Sequence, residues 1–225
     1  MASYRITFGY IRQSPDAATL GAALAAYGLP DDDEFGVLNA NVDRQAAWAT
    51  LVQTTVQDVT RLDRQAGELV GETIEKAKAI PMKIIPGENR LEVYAGPASI
   101  IETVQVFFAG GAALPVVIEP ITIDIPGAVE KLASRTKRFQ LKKFRTKTYC
   151  HNSYMSGPYA PKFLDNQHGQ DFMEEYAEKA AAATVRFQMP SGPATVHLSP
   201  TASFSYSVKD ENDVEAIQKL LRELL

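Results

Sequence analysis

DRQAAWATLVQTTVQDVTRLDRQAGELVGETIEKAKA, residues 43–79, is the stretch on which the fold turns. Asp43 is a good N-cap, and Trp48, Leu51, Val52, Val56, Val59, Leu62, Leu69, Val70 and Ile74 recur at spacings that suit one face of a helix. The pattern predicts a helix continuing to Ala79, about 55 Å long at ~1.5 Å per residue, with bends at Gly67 and Gly71. Such a helix exceeds the globular norm. It either lies across a large sheet, the ordinary outcome, or reaches toward another subunit as an arm.

On the N-terminal side, Tyr4, Ile6, Phe8 and Tyr10 alternate with Arg5, Thr7 and Gly9, the period of a half-buried strand. Ser14-Pro15-Asp16 then opens a short helix to about Tyr27, ended by Gly28 and Pro30. Asp31, Asp32, Asp33 and Glu34 follow in a turn. A divalent cation needs carboxylates converging from different directions, which a contiguous run seldom supplies, so a solvated loop is expected there.

On the C-terminal side, MKIIPG and RLEVYAG read as strands joined by a turn at Gly87-Glu88-Asn89. A helix is expected from about Ala98 to Phe108, then a strand in LPVVIEPITIDI interrupted by Pro120. The order strand, helix, strand makes a βαβ-like unit. Gly110-Gly111 lies after the helix, on the wrong side for a phosphate-cradling loop, so nucleotide binding is not inferred.

Residues 131–149, KLASRTKRFQLKKFRTKTY, hold Lys131, Arg135, Lys137, Arg138, Lys142, Lys143, Arg145 and Lys147. None of the chain's 27 acidic residues falls among them, although the formal net charge is −4. Phe139, Leu141, Phe144 and Tyr149 give the run the apolar content of a strand rather than of a solvated tail. A fixed basic strip on an acidic body points to a polyanion, of which nucleic acid is the natural example. The alternative is a strand that carries Lys and Arg on its solvent face to block edge pairing.

YCHNSYMSGPYAPKFLDNQHG, residues 149–169, reads as a long turn-rich connection in which Gly157, Pro158, Pro161 and Gly169 break regular structure. Tyr154 and Tyr159 beside a basic groove could stack on unpaired bases, as could Phe163; alternatively the rings fold back on the core. Cys150, His151, Asn152, His168 and Asp171 invite a hydrolase reading. Adjacent Cys150 and His151 on an extended segment point to opposite faces, so only a meeting of Cys150 with His168 across the loop would serve. One cysteine and three histidines give no recognised zinc spacing, and His197 in ATVHLSP is most simply a strand residue.

The chain closes with an expected helix GQDFMEEYAEKAAAATV, short strands ending at Val208, and a helix DENDVEAIQKLLRELL. Asp210 or Asn212 can cap that last helix, and Val214, Ile217, Leu220, Leu221 and Leu224 form its apolar face. At 225 residues and 45% hydrophobic, the chain has material for a sizeable core. The expectation is one α+β unit over 1–225, with a mixed, mainly antiparallel sheet, a long N-terminal helical segment and a C-terminal amphipathic helix. It divides at most into a strand plus helical arm at 1–80 and a sheet-rich portion at 81–225. The opening MASYRITFGY is unlike a signal peptide, no stretch approaches a membrane span, and a single cysteine fits a reducing compartment, so a cytosolic protein is expected.

ENRLEVYAGPASIIETVQVFFAGGAALPVVIEP, residues 88–120, resembles a module of the bacterial recombination-associated RdgC family, in which a helix ends just before a Leu-Pro-Val-Val-type strand. ATVRFQMPSGPATVHLSPTASFSYSV, residues 183–208, is similar in layout to that family's late antiparallel strands. The resemblance covers about a quarter of the chain, which is shorter than the family norm. It implies a DNA-binding dimer closed into a ring, with duplex threading a basic hole and recombinase action restrained by occlusion. It carries over no site residue, because the basic strip lies outside the matching stretches.

The function expected is therefore non-enzymatic binding of nucleic acid, most simply DNA, by a homo-oligomer, with no cofactor and no membrane. The rivals are a self-assembling structural subunit, whose basic strand meets a neighbour's acidic surface, and a hydrolase built on residues 149–171.

Overall fold

The computed structural model describes residues 2–29, 34–65, 67–97, 99–111, 114–152 and 155–225. Its strands are β1 (Ala2–Gln13), β2 (Phe35–Val42), β3 (Ala47–Asp63), β4 (Glu68–Ile85), β5 (Arg90–Val93), β6 (Val117–Pro120), β7 (Lys137–Asn152), β8 (Met155–Tyr159), β9 (Ala180–Met189), β10 (Gly192–Leu198) and β11 (Ser203–Val208). Its α-helices are α1 (Ala17–Tyr27), α2 (Ile100–Val106), α3 (Ile125–Arg135), α4 (Asn166–Glu175) and α5 (Val214–Arg222).

The long N-terminal helix does not form. Residues 47–85 are a hairpin instead, with β3 and β4 in antiparallel register from Ala47↔Ile84 to Asp63↔Glu68. Trp48, Val52 and Val56 are four apart, which suits a helix face, yet they also fall on alternate positions of one strand face. The other strand face carries Ala47, Ala49 and Leu51, buried together with Ile80, Met82 and Ile84. The run is dense in Val and Thr, which lose rotamer freedom in a helix and pack well on a pleated surface. Gly67, which the helical reading treats as a bend, closes the turn at φ 71°, in the left-handed region that glycine enters without a Cβ penalty. Pairing of β2 with β3 stops at Gln53, and β5 pairs only with Met82–Ile85. The distal residues, from about 55–63 and 68–77, thus form a two-stranded ribbon with exposed Val56, Leu62, Leu69 and Val70.

The chain divides into two compact units, residues 1–9, 96–99 and 120–225, and residues 10–95 and 100–119. In the second, β2, β3, β4 and β5 follow one another as neighbours and the end of β1 lies beside β5. Helices α1 and α2 bury Leu20, Leu24, Ile100, Ile101 and Val104 in one cluster with Leu51, Met82 and Val93. Asp16 caps α1 as expected, accepting from the Thr19 amide at 2.8 Å. Gly21 lets α1 approach β2 closely, since a Cβ there would collide with the Val42 side chain.

In the first unit, the start of β1, then β11, β10, β9, β7 and β8 are successive antiparallel neighbours. One sheet face is apolar, with Ile6, Phe8, Phe144, Val185, Phe187, Val196, Phe204 and Tyr206 buried. Helix α3 packs on β7 and β9, and α4 packs on β7. Gln218 of α5 donates to the Tyr206 hydroxyl at 2.9 Å.

Three further expectations are corrected here. The segment 121–124 is not strand; Asp124 caps α3 instead, accepting from the Gly127 amide at 2.9 Å. The alanine run after α4 opens β9, because Ala183 and Ala182 pair with Phe144 and Arg145, and that pairing overrides alanine's helix propensity. The connection after Tyr149 is largely regular: β7 runs on to Asn152, and β8 is an edge strand, the position where Pro158 is tolerated.

Candidate nucleic-acid interface

The basic run does not lie on one element. Lys131 and Arg135 belong to α3, and Arg135 is ion-paired with Glu223 beyond α5. Lys137 and Arg138 enter β7 at a bulge where Arg138 takes φ 51°. Lys142 occupies a second bulge, between the Leu141↔Val185 and Lys143↔Thr184 pairs. Leu141, Phe144 and Thr146 are buried, so Lys143 and Arg145 alternate onto the opposite face. Lys147, two residues on, is exposed.

Register shows what stands beside them. Arg5 pairs with Ser205, Ser205 with His197, His197 with Thr184, and Thr184 with Lys143. Directly opposed residues share a face, so these five side chains form one row across β1, β11, β10, β9 and β7. An isolated bridge adds Lys162 beside Lys143. Four strand spacings put Arg5 about 19 Å from Lys143. The adjoining row is Ser3, Ser207, Thr195, Arg186 and Gln140. The face therefore carries Arg5, Lys143, Lys162, Arg145 and Arg186 over a floor of hydroxyls, and these rows hold no carboxylate. Among the described residues, none of the five cations has an ion-pair partner.

His197 lies in the middle of that face. Its Nδ1 is 2.9 Å from the Thr184 hydroxyl. Partial burial, and then the charges of Lys143, Arg145 and Arg5, hold its imidazole below the usual histidine range. The sequence places His197 in a strand and no further, and it does not single out Arg5, Lys162 or Arg186. Alternation signals that Arg5, Arg186 and His197 point to a polar face; Lys162, outside any strand, has no such signal. Nothing local signals that β1, β10 and β9 line up with β7.

The aromatic residues take the other side. Tyr159 stands 4.6 Å from Tyr149 and 6.0 Å from Phe172 by ring centroids, and Phe163 stands 5.7 Å from Phe172. Phe172 meets buried Phe144 edge-on at 6.1 Å, so this cluster fastens α4 to the sheet. Tyr176 joins it, its hydroxyl pushed up to about 12 by a hydrogen bond to Glu175. Tyr154 lies outside the described residues, as do Asp31, Asp32 and Asp33 and the side chains of Cys150, His151 and Asn152. His168 lies in the first turn of α4, whose N-cap Asp165 accepts from the His168 amide. Its Nδ1 is 2.7 Å from the same carboxylate, whose hydrogen bond and charge raise the imidazole above its usual range.

Among the described residues no helix is long and apolar enough to cross a membrane. The chain matches no protein-family model and no curated protein.

Proposed function

We propose that this protein binds nucleic acid, in the first instance DNA, without catalysis, through the polar face of the sheet formed by β1, β11, β10, β9 and β7. One observation carries the reading: Arg5, Lys143, Lys162, Arg145 and Arg186 share a face with no carboxylate among them. Cations gathered this way repel one another and are relieved by a polyanion. The floor of Ser and Thr supplies further donors suited to phosphate oxygens, and no Phe, Tyr or Trp stands in these rows to stack on bases. Contacts to backbone phosphate position a duplex without reading its sequence. The binding proposed is therefore sequence-independent and steeply salt-dependent.

Titration of a short duplex across a salt series tests this. In the triple variant Lys143→Gln, Arg145→Gln, Arg186→Gln, the slope of log K against log salt falls by about 0.9 for each phosphate no longer neutralised. An unchanged slope and affinity would rule the face out as the binding surface.

A self-assembling subunit is the second reading, favoured by the β3–β4 ribbon, which exposes Val56, Leu62, Leu69 and Val70. Assembly into a dimer or ring around DNA, and restraint of recombination by occlusion, would follow from the RdgC resemblance and are proposed only together with DNA binding.

A further inference from the structure

We propose that His197 is the phosphate contact at the centre of this face and that it takes up one proton from solvent when a phosphodiester binds there. The inference rests on the nucleic-acid reading above and goes beyond it by naming the central contact and its linkage to pH.

The geometry comes first. His197 and Thr184 are a directly opposed pair of β10 and β9, and the 2.9 Å contact between the hydroxyl and Nδ1 orients the ring. With the Thr184 hydroxyl donating to Nδ1, the neutral ring carries its proton on Nε2 and offers that N–H to an anion. On protonation Nδ1 gains a hydrogen and donates to the Thr184 oxygen, whose own hydrogen rotates away. The imidazolium then presents a full charge to the phosphate through the same Nε2 hydrogen.

The three charges that act on the ring, Lys143, Arg145 and Arg5, push the same way. From β1 comes Arg5, from β7 Lys143 and Arg145, from β9 Arg186 diagonally, and from the segment before α4 Lys162 beside Lys143. The β11 neighbour is Ser205, and Thr195 stands two residues away on β10 itself. Burial first, and then the charges of Lys143, Arg145 and Arg5, hold the free imidazole below its usual range. A phosphodiester laid among them cancels that field, and the proton becomes favourable at the moment the anion arrives.

The test is fluorescence anisotropy of the full chain with a labelled duplex at fixed ionic strength, from pH 8.0 down to ~5.5, a range in which histidine is the side chain that ordinarily titrates and phosphodiesters do not. The parent is expected to bind about tenfold more tightly at the acidic end. His197→Gln, which keeps a donor and cannot protonate, is expected to bind with a flat pH profile. A His197→Gln variant that retained the parent's pH dependence would overturn the inference and leave DNA binding standing. No binding by the parent at any pH would overturn both.

Discussion

Lys143 and Lys162 oppose one another across an antiparallel bridge, two like charges side by side at the β7 end of the polar row. Direct opposition of like charges in a sheet costs a few tenths of a kcal/mol to about 1 kcal/mol. The first prediction follows from that cost. Lys162→Gln should raise stability by about 0.5 kcal/mol in denaturant unfolding and weaken duplex binding in the same preparation. A gain in stability with undiminished affinity would mean that the lysine pair is not at the contact.

Arg135 provides the internal control, because its guanidinium is committed to Glu223 at the ends of α3 and α5. The pair is half-exposed, so Arg135→Gln should cost no more than about 1 kcal/mol. Its salt slope for DNA should match the parent's, whereas Arg186→Gln should lower the slope. Equal effects from both arginines would assign the binding to overall charge rather than to one face.

His197 gives a prediction about the free protein. Its folded-state pKa is depressed, so as pH falls the unfolded chain takes the proton first. Stability from this group is therefore present above the ordinary histidine value and is lost as pH falls through the folded value. Replacing Lys143 and Arg145 by Gln removes the two largest charge contributions, and the His197 pKa read from imidazole NMR shifts should rise. The acid-side loss of stability should shrink with it. An unmoved resonance titration would place these cations too far from the ring to act on it.

The aromatic cluster is structural. Tyr159→Ala removes a ring packed on Tyr149 and Phe172, and Phe172→Ala removes the ring that seats α4 on Phe144. Thermal or urea melts should show losses of about 2 kcal/mol or more for Phe172 and less for half-exposed Tyr159. Folded Tyr159→Ala should bind single strands like the parent. A drop of about 1–3 kcal/mol in single-strand affinity in that variant would restore base stacking.

Joining Thr55 to Lys76 through Asn-Gly deletes the distal ribbon but keeps every pair from Thr55↔Lys76 to the base. Core residues are untouched, so the melting temperature should move by only a few degrees. Light scattering should find the parent as a dimer or larger and the shortened chain as a monomer. Equal masses would take the ribbon out of assembly.

Local chemistry in the chain decided some of this architecture unaided. Asp16 and the Ala/Leu run after it specify α1. Tyr4, Ile6 and Phe8 alternate as β1 does until the phase changes after Gly9 and leaves Tyr10 exposed and Ile11 buried. Ile217, Leu221 and Leu224 specify the closing helix, while Asp210 caps only the 3-10 turn before it. The acid-free basic run is also visible in sequence alone. Each of these depends on neighbours within a turn or two, where capping and side-chain period act directly.

Tertiary structure decided the rest. Residues 43–79 satisfy a helical spacing and a strand alternation together, and burial of Ala47, Ala49 and Leu51 against Ile80, Met82 and Ile84 selects the hairpin. The alanines at 180–183 favour a helix until Phe144 and Arg145 pair with them. Period two tells which way Arg5, Arg186 and His197 point, but not that a bulge at Lys142 turns Lys143 outward, nor which strands stand side by side. That order is set by contacts between residues far apart in the chain, and those contacts turn scattered strand residues into one cationic face.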